Sequence, residues 1–210
     1  MIGLSIFFSS GSPLSYSASA LLQMDMIAKQ EQTHNGAVKR RFHSWRLLIE
    51  DLKNKPTSVR LQRVNDFFNQ FEFTSETYYQ GQEDYWKTPE EFVVDGGGDC
   101  EDFSIAKYFT LLSLGVPTKQ LRITYVKSIK LNRAHMVLAY YPQPGADPFV
   151  LDNLVSEILP ASKRPDLIPI YSFNGEGLWL AKTGGDSRSL GSASGLSKWR
   201  RVLEYMQKGK

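Results

Sequence analysis

Cys100 is the only cysteine among the 210 residues, and it lies in Gly96-Gly97-Gly98-Asp99-Cys100-Glu101-Asp102, ahead of an apolar run over residues 103–114. Three glycines give the backbone the freedom for a sharp, close approach, and Asp99 is a good N-cap, so the spacing predicts a helix opening at Cys100. The unpaired N–H groups and partial positive charge of a helix start favour a thiolate and can bring a cysteine pKa down to about 3.5–7.5. Nucleophilic attack is the chemistry this position allows. A lone cysteine is by default a small buried hydrophobe. That role has no use for a Gly-Gly-Gly-Asp lead-in or for two carboxylates directly behind the thiol.

A thiolate nucleophile needs a base, and the base needs a group to orient it. Of the three histidines, His34 lies in a polar segment and His43 in an amphipathic pattern, whereas His135 stands in an extended run over residues 134–141. The next extended run, residues 149–154, carries Asp152. Between them Pro142-Gln143-Pro144-Gly145 has the composition of a turn. A hairpin centred between Gln143 and Pro144 sets His135 directly opposite Asp152 on one face, with Cβ atoms about 4.5–5.5 Å apart. Pro148 would mark a longer, bulged loop and shift that register.

Three carboxylates flank the thiol. Asp99, Glu101 and Asp102 can complement the helix dipole and cap its N–H groups. They are also hard oxygen donors of the kind calcium takes about six to eight of, although their spacing is not that of an EF-hand loop. Without a cation they would disfavour the thiolate, and a bound cation would reverse this. For the oxyanion of an acyl-transfer intermediate, the Cys100 N–H is one candidate donor. Trp45, Trp86 and a Gln or Asn compete for the second place, with the core as the default for each tryptophan.

The elements that must position these groups follow from periodicity. Val38, Phe42, Trp45, Leu48, Ile49 and Leu52 recur at steps of three and four, predicting an amphipathic helix over residues 37–52. Pro56 ends it. Thr57 or Ser58 caps a second helix with Val59, Val64, Phe67, Phe68 and Phe71 as its apolar face. Residues 80–87 read as a polar turn, and Thr88-Pro89-Glu90-Glu91 as the capped start of a short helix. Gly115 and Pro117 stop the Cys100 helix. The period then changes to that of strands over 121–129, 134–141, 149–154, 170–173 and 178–181, a glycine- and serine-rich mobile loop over 183–195, and a last helix over 196–207 with Trp199, Leu203 and Met206 on one face. Helices first and strands second predict an α+β fold, with the nucleophile helix packed on an antiparallel sheet.

Composition sets the bounds. With 41% hydrophobic residues, the chain can bury a full core as a single domain over residues 21–210. Residues 1–20 read as a possible signal peptide or disordered N-terminus, with Ile6-Phe7-Phe8 as a short apolar part and Ala18-Ser19-Ala20 as a cleavage pattern, but no basic start. The balance of 25 basic and 22 acidic residues is scattered, which disfavours nucleic acid as a partner. One cysteine excludes an internal disulfide and a cysteine-based zinc site. No apolar run reaches the ~18 residues of a membrane span.

Cysteine, then histidine on a strand, then aspartate on the next is the order of the papain-like and transglutaminase-like core. More specifically, Gly97-Gly98-Asp99-Cys100-Glu101-Asp102-Phe103-Ser104-Ile105-Ala106-Lys107-Tyr108 is preceded by Asp84-Tyr85-Trp86-Lys87-Thr88-Pro89. It is followed by Arg133-Ala134-His135-Met136-Val137-Leu138, by Leu151-Asp152-Asn153-Leu154 and by Tyr171-Ser172-Phe173-Asn174-Gly175-Glu176-Gly177-Leu178-Trp179. Over residues 45–179 this resembles the bacterial transglutaminase-like cysteine proteinases of the LapG type. The resemblance implies Cys100, His135 and Asp152 as catalytic residues and Asp99, Glu101 and Asp102 as calcium ligands. It further implies a periplasmic, calcium-dependent endopeptidase that cleaves a large surface adhesin near its N-terminus and so promotes biofilm dispersal. The inhibitory partner it implies is the periplasmic domain of an inner-membrane cyclic-di-GMP receptor. The same triad would serve a transglutaminase-type acyl transferase, and the acidic cluster alone a non-catalytic calcium-responsive adaptor.

Overall fold

Helical periodicity fills the first half of the chain, and the computed structural model turns it into a helical layer against one sheet. It describes residues 15–74, 78–79, 82–83, 85–181 and 187–208. Helix α1 (Ser15–Thr33) takes in residues 15–20 of the leader-like stretch, and residues 1–14 lie outside the described residues. In α2 (Gly36–Leu52) the expected stripe is the buried face, with Phe42, Trp45, Leu48, Ile49 and Leu52 inside. Helix α3 (Thr57–Phe68) departs from expectation at its start, because Pro56 occupies the N-cap position and Thr57 is already helical. Its buried face is Leu61, Val64, Asn65 and Phe68, while Val59 is exposed. Phe71 lies past the helix end, where its ring meets Phe92.

Strand β1 (Glu72–Phe73) follows, then a short antiparallel pair, β2 (Tyr78–Tyr79) and β3 (Gln82–Glu83). The polar turn expected over 80–87 is therefore partly strand. Helix α4 (Pro89–Asp95) has the predicted start: the Glu91 N–H donates to Thr88 Oγ1 (3.2 Å) and the Thr88 N–H to Glu91 Oε2 (2.8 Å). Such a reciprocal box satisfies two otherwise orphaned donors. Strand β4 (Gly97–Gly98) pairs in parallel with β1, and α5 (Cys100–Ser113) begins two residues later. Gly115, at φ +84°, ends that helical stretch where the sequence predicts a stop.

Among the described residues, β5 (Leu121–Ser128), β6 (Arg133–Tyr140), β7 (Phe149–Leu151), β8 (Leu159–Pro160), β9 (Leu167–Phe173), β10 (Leu178–Ala181) and β11 (Ser187–Gly191) form one antiparallel sheet. Its order is β11-β10-β9-β5-β6-β7-β8. Strand β11 falls in the stretch expected to be a loop, where Ser187–Gly191 adds an edge strand to β10; residues 182–186 lie outside the described residues. Pairing with a neighbour outweighs a composition poor in strand formers. Helix α5, which opens at Cys100, packs against β5 and β6 and is buried from Asp102 to Leu111, at the centre of the core. Helix α6 (Ser197–Lys208) closes the core with Trp199, whose ring meets Tyr108, Phe109 and Phe173. No helix among the described residues is long and apolar enough to cross a membrane.

Candidate active site

The approach to Cys100 is shaped by steric limits. Only Gly96 of the three glycines uses the left-handed region, at φ +83°, where it ends α4. Gly97 and Gly98 are required by proximity: a Cβ on Gly97 would lie 2.0 Å from the Glu72 carbonyl oxygen, and one on Gly98 would lie 2.3 Å from Asp102 Oδ2. Asp99, in extended conformation, is the N-cap and Cys100 the first helical residue, as the sequence predicts. Asp102 reaches back over this start. Its Oδ2 accepts the Asp99 N–H (3.2 Å) and its Oδ1 the Lys87 N–H (2.7 Å), which ties the segment leading into α4 to the turn that carries Cys100.

The thiol itself is half-buried, and its hydrogen points at Glu101 Oε2, 3.0 Å away. The Met136 N–H, one residue past His135, also faces the sulfur. The Cys100 pKa moves in the direction the flanking carboxylates impose without a cation, against that of the helix dipole. Burial, then Glu101, then Asp99 push the Cys100 thiol up, and the Met136 N–H offsets only part of this. A helix start carries about half a positive charge, and three carboxylates exceed it. Asp99 and Asp102 are displaced upward as well, in each case by burial first; Asp102 and Glu101 add to the effect on Asp99, while the Lys87 N–H opposes it at Asp102.

The three acidic residues thus share one helix start but point to different partners: Asp102 to backbone N–H groups, Glu101 to the thiol. Asp99 Oδ1 is buried without a hydrogen-bond partner. As the side chains stand, no three His, Cys, Asp or Glu converge as a metal-holding group among the described residues.

His135 and Asp152 are brought together, by a register other than the expected one. Strands β6 and β7 pair Leu138 with Leu151, Ala139 with Val150 and Tyr140 with Phe149. The register is therefore slipped by two residues, with the hairpin centre one residue on, and Asp152 lies one step beyond the last pair and diagonal to His135. Residues 141–148 form the longer loop that Pro148 signals, with Gly145 at φ +76°. A slip of two keeps side-chain parity, so both residues stay on one face. His135 Nε2 is 2.8 Å from Asp152 Oδ1, with both residues buried. No hydrogen bond joins Cys100 to His135 among the described residues; the thiol is turned to Glu101 instead. Of the other histidines, His43 pairs with Glu31 and His34 with Gln30, both away from the thiol.

Two residues of this site escape sequence reasoning. Arg164 donates from Nη2 to Asp152 Oδ2 (2.8 Å) and is itself held by Asp166. Burial alone would raise Asp152, but His135, the Leu154 N–H and Arg164 outweigh it and hold the carboxyl at about 2. Nothing near Arg164 in sequence distinguishes it from a solvated loop arginine. Lys107, fully buried in α5, donates to Asn65 and Asn69 of α3 and its following turn. A charge inside the apolar run 103–114 was the available signal. The tryptophans separate cleanly. Trp45 Nε1–H donates to Thr110 and belongs to the core, whereas the buried Trp86 Nε1–H has no hydrogen-bond partner among the described residues.

A helix-start thiol packed on an antiparallel sheet, with a buried His–Asp pair beside it, defines the transglutaminase-like class of cysteine enzymes. Residues 47–179 match the family model for bacterial transglutaminase-like cysteine proteinases. Among solved structures, LapG of Legionella pneumophila is 51% identical, covering 87% of this chain and 97% of that one at a TM-score of 0.79. Its EGTA-treated form is 52% identical, with 87% and 97% covered and a TM-score of 0.80. The calcium-bound form is 52% identical, with 87% and 98% covered and a TM-score of 0.78. No curated protein matches the chain. The chain belongs to the bacterial transglutaminase-like cysteine proteinases, and it is a cysteine protease.

Proposed function

We propose that Cys100 is the nucleophile, His135 the general base and Asp152 its orienter in a calcium-dependent endopeptidase. The observation that carries this reading is the buried His135–Asp152 pair, in which Asp152 is held ionised. An ionised carboxylate accepts the imidazole Nε2–H, which leaves Nδ1 free to take a proton. Nδ1 removes the Cys100 proton as the sulfur attacks the scissile carbonyl carbon. The Cys100 N–H and the otherwise unpartnered Trp86 Nε1–H donate to the oxyanion. His135 then delivers its proton to the leaving amine, and water, deprotonated by His135, cleaves the thioester.

Asp99, Glu101 and Asp102 fit a hard divalent cation by donor type, and Asp99 Oδ1 is a buried acceptor in want of a partner. Calcium held there would place positive charge beside the sulfur. Glu101 has to leave the thiol to join such a site, so the side chain that now holds the thiol proton is one that the cation would claim. The calcium-bound and EGTA-treated forms of the Legionella protein support this reading.

The resemblance to LapG-type proteinases supports the finer statement: a periplasmic enzyme acting on a large surface adhesin near its N-terminus, restrained by the periplasmic domain of a cyclic-di-GMP receptor. The test is incubation of the purified protein with an N-terminal adhesin fragment, with calcium, with chelator, and with the receptor domain. Cleavage in calcium alone, abolished in a folded Cys100→Ala variant, is the expected result. Cleavage by Cys100→Ala would sink the nucleophile assignment, and amine incorporation without cleavage would make the protein an acyl transferase.

A further inference from the structure

The β6–β7 ladder ends at Leu138 and Leu151, so it sets the face on which Asp152 lies but includes no pair at Asp152 itself. Something else must hold the chain there, since the carboxylate has to meet an imidazole on another strand. Asn69 does so directly: its Nδ2 donates to the Asp152 carbonyl oxygen at 2.9 Å. Asn65, one helical turn earlier, donates in the same way to the Ser156 carbonyl at 3.0 Å. Both amides face one group on their other side. Lys107 Nζ lies 2.8 Å from Asn65 Oδ1 and 2.7 Å from Asn69 Oδ1.

Charged or neutral, the Lys107 amine has at least two N–H donors, one for each asparagine oxygen. It therefore selects the amide orientation with oxygen inward and leaves each NH2 free to donate outward. Lys107 stands seven residues after Cys100, two turns along the same helix and on the same side. We propose that Lys107 and Asn69 are positioning residues: the lysine fixes the Asn69 amide, and the amide fixes Asp152 relative to the helix that carries the nucleophile. This rests on the triad proposed above.

The burial of Lys107 is costly in a way that calls for a function. It is 1% exposed, and burial brings its pKa down from 10.5 to about 7 despite the influence of Asp152 and Asp66. A lysine buried in the core is replaceable by packing alone unless its donors are used.

Asn69→Asp tests the link most directly. The new carboxylate still accepts from Lys107 but presents only acceptors to the Asp152 carbonyl. With folding checked by circular dichroism, kcat should fall about tenfold to a hundredfold with little change in KM, as for a small misplacement at a reacting centre. The His135 Nε2–H proton resonance should move, which a merely structural role would not require. Lys107→Met should act in the same direction without adding a charge to the core. Wild-type kcat and an unmoved His135 signal in either folded variant overturn the proposal. Asp152→Asn, measured in parallel, separates the two readings: if it keeps full turnover, the triad assignment itself fails; if it loses turnover while Asn69→Asp does not, only the positioning role fails.

Discussion

Asp152→Asn should cost stability in a pH-dependent way whose size the structure fixes. The Asp152 carboxyl is held at about 2 against an ordinary 3.8. At about 1.36 kcal/mol per pH unit, that difference is worth about 2 kcal/mol of folding stability. The folded-state pKa is depressed, so this contribution is fully present above pH ~4 and is lost as the pH falls through about 2. The variant lacks the titrating group and lacks the loss. It also leaves Arg164, 5% exposed, with Asp166 as its remaining anionic partner. Breaking a buried pair costs about 3–5 kcal/mol when nothing else supports the orphan, and Asp166 brings the figure to the lower end. Urea unfolding at pH 7 should therefore show the variant less stable by about 3 kcal/mol, with the gap narrowing by about 2 kcal/mol toward pH 2. Turnover should fall by orders of magnitude without vanishing, because an asparagine still contacts the imidazole but favours the wrong tautomer. Parallel pH-stability curves for parent and variant would refute the claim that Asp152 is held ionised by its neighbours.

Three further outcomes follow from the site. Gly98→Ala drives a Cβ into the Asp102 carboxylate, displacing it from two backbone N–H groups; thermal or urea unfolding should show a loss of about 3–5 kcal/mol, and a change under 1 kcal/mol would mean that Asp102 is not held as described. Trp86→Phe keeps the stack on Phe173, whose ring lies 5.6 Å away, and removes one N–H; kcat should drop about a hundredfold at similar KM, and an unchanged kcat would remove Trp86 from the oxyanion hole. Glu101→Ala should lose calcium binding in calorimetry together with cleavage, and magnesium should substitute poorly in the parent because it dehydrates reluctantly; a verified metal-free parent that cleaves at the full rate would refute the calcium role.

What could be read from the sequence is what neighbouring residues decide among themselves. The start of α4 and the start of α5 were legible to the residue, because a cap, a proline and a first-turn carboxylate act within four positions. The core stripe of α2 was legible because its period is the helix's own. At α3 the proline took the cap position and displaced Thr57 into the helix, a competition between two local signals that composition does not rank. The β6–β7 register differs by two residues from the sequence expectation, since a loop with three prolines and a glycine can turn at more than one place. That error left His135 and Asp152 on one face because parity survives an even slip. An odd slip would have separated them. Arg164 and Asn69 were out of reach, being joined to Asp152 only by the fold, and Lys107 announced itself as a misplaced charge without revealing its partners.

At the thiol, the helix dipole and the acidic cluster oppose each other. A helix start alone would have made Cys100 a ready nucleophile. The same turn that identifies it in the sequence, Asp-Cys-Glu-Asp, surrounds it with more negative charge than the helix can offset, and one of those carboxylates holds its proton. In the proposed mechanism His135 takes that proton, with Asp152 at its Nε2 and Nδ1 left available. On the proposed roles, then, the thiol hydrogen is engaged by Glu101 and not by the base. Whatever draws Glu101 away from the sulfur and neutralises Asp99 would lower the thiol pKa and release it to the base in one move. On the reading proposed here calcium does both, so the cluster that suppresses the thiolate is also the part of the molecule through which activity is controlled.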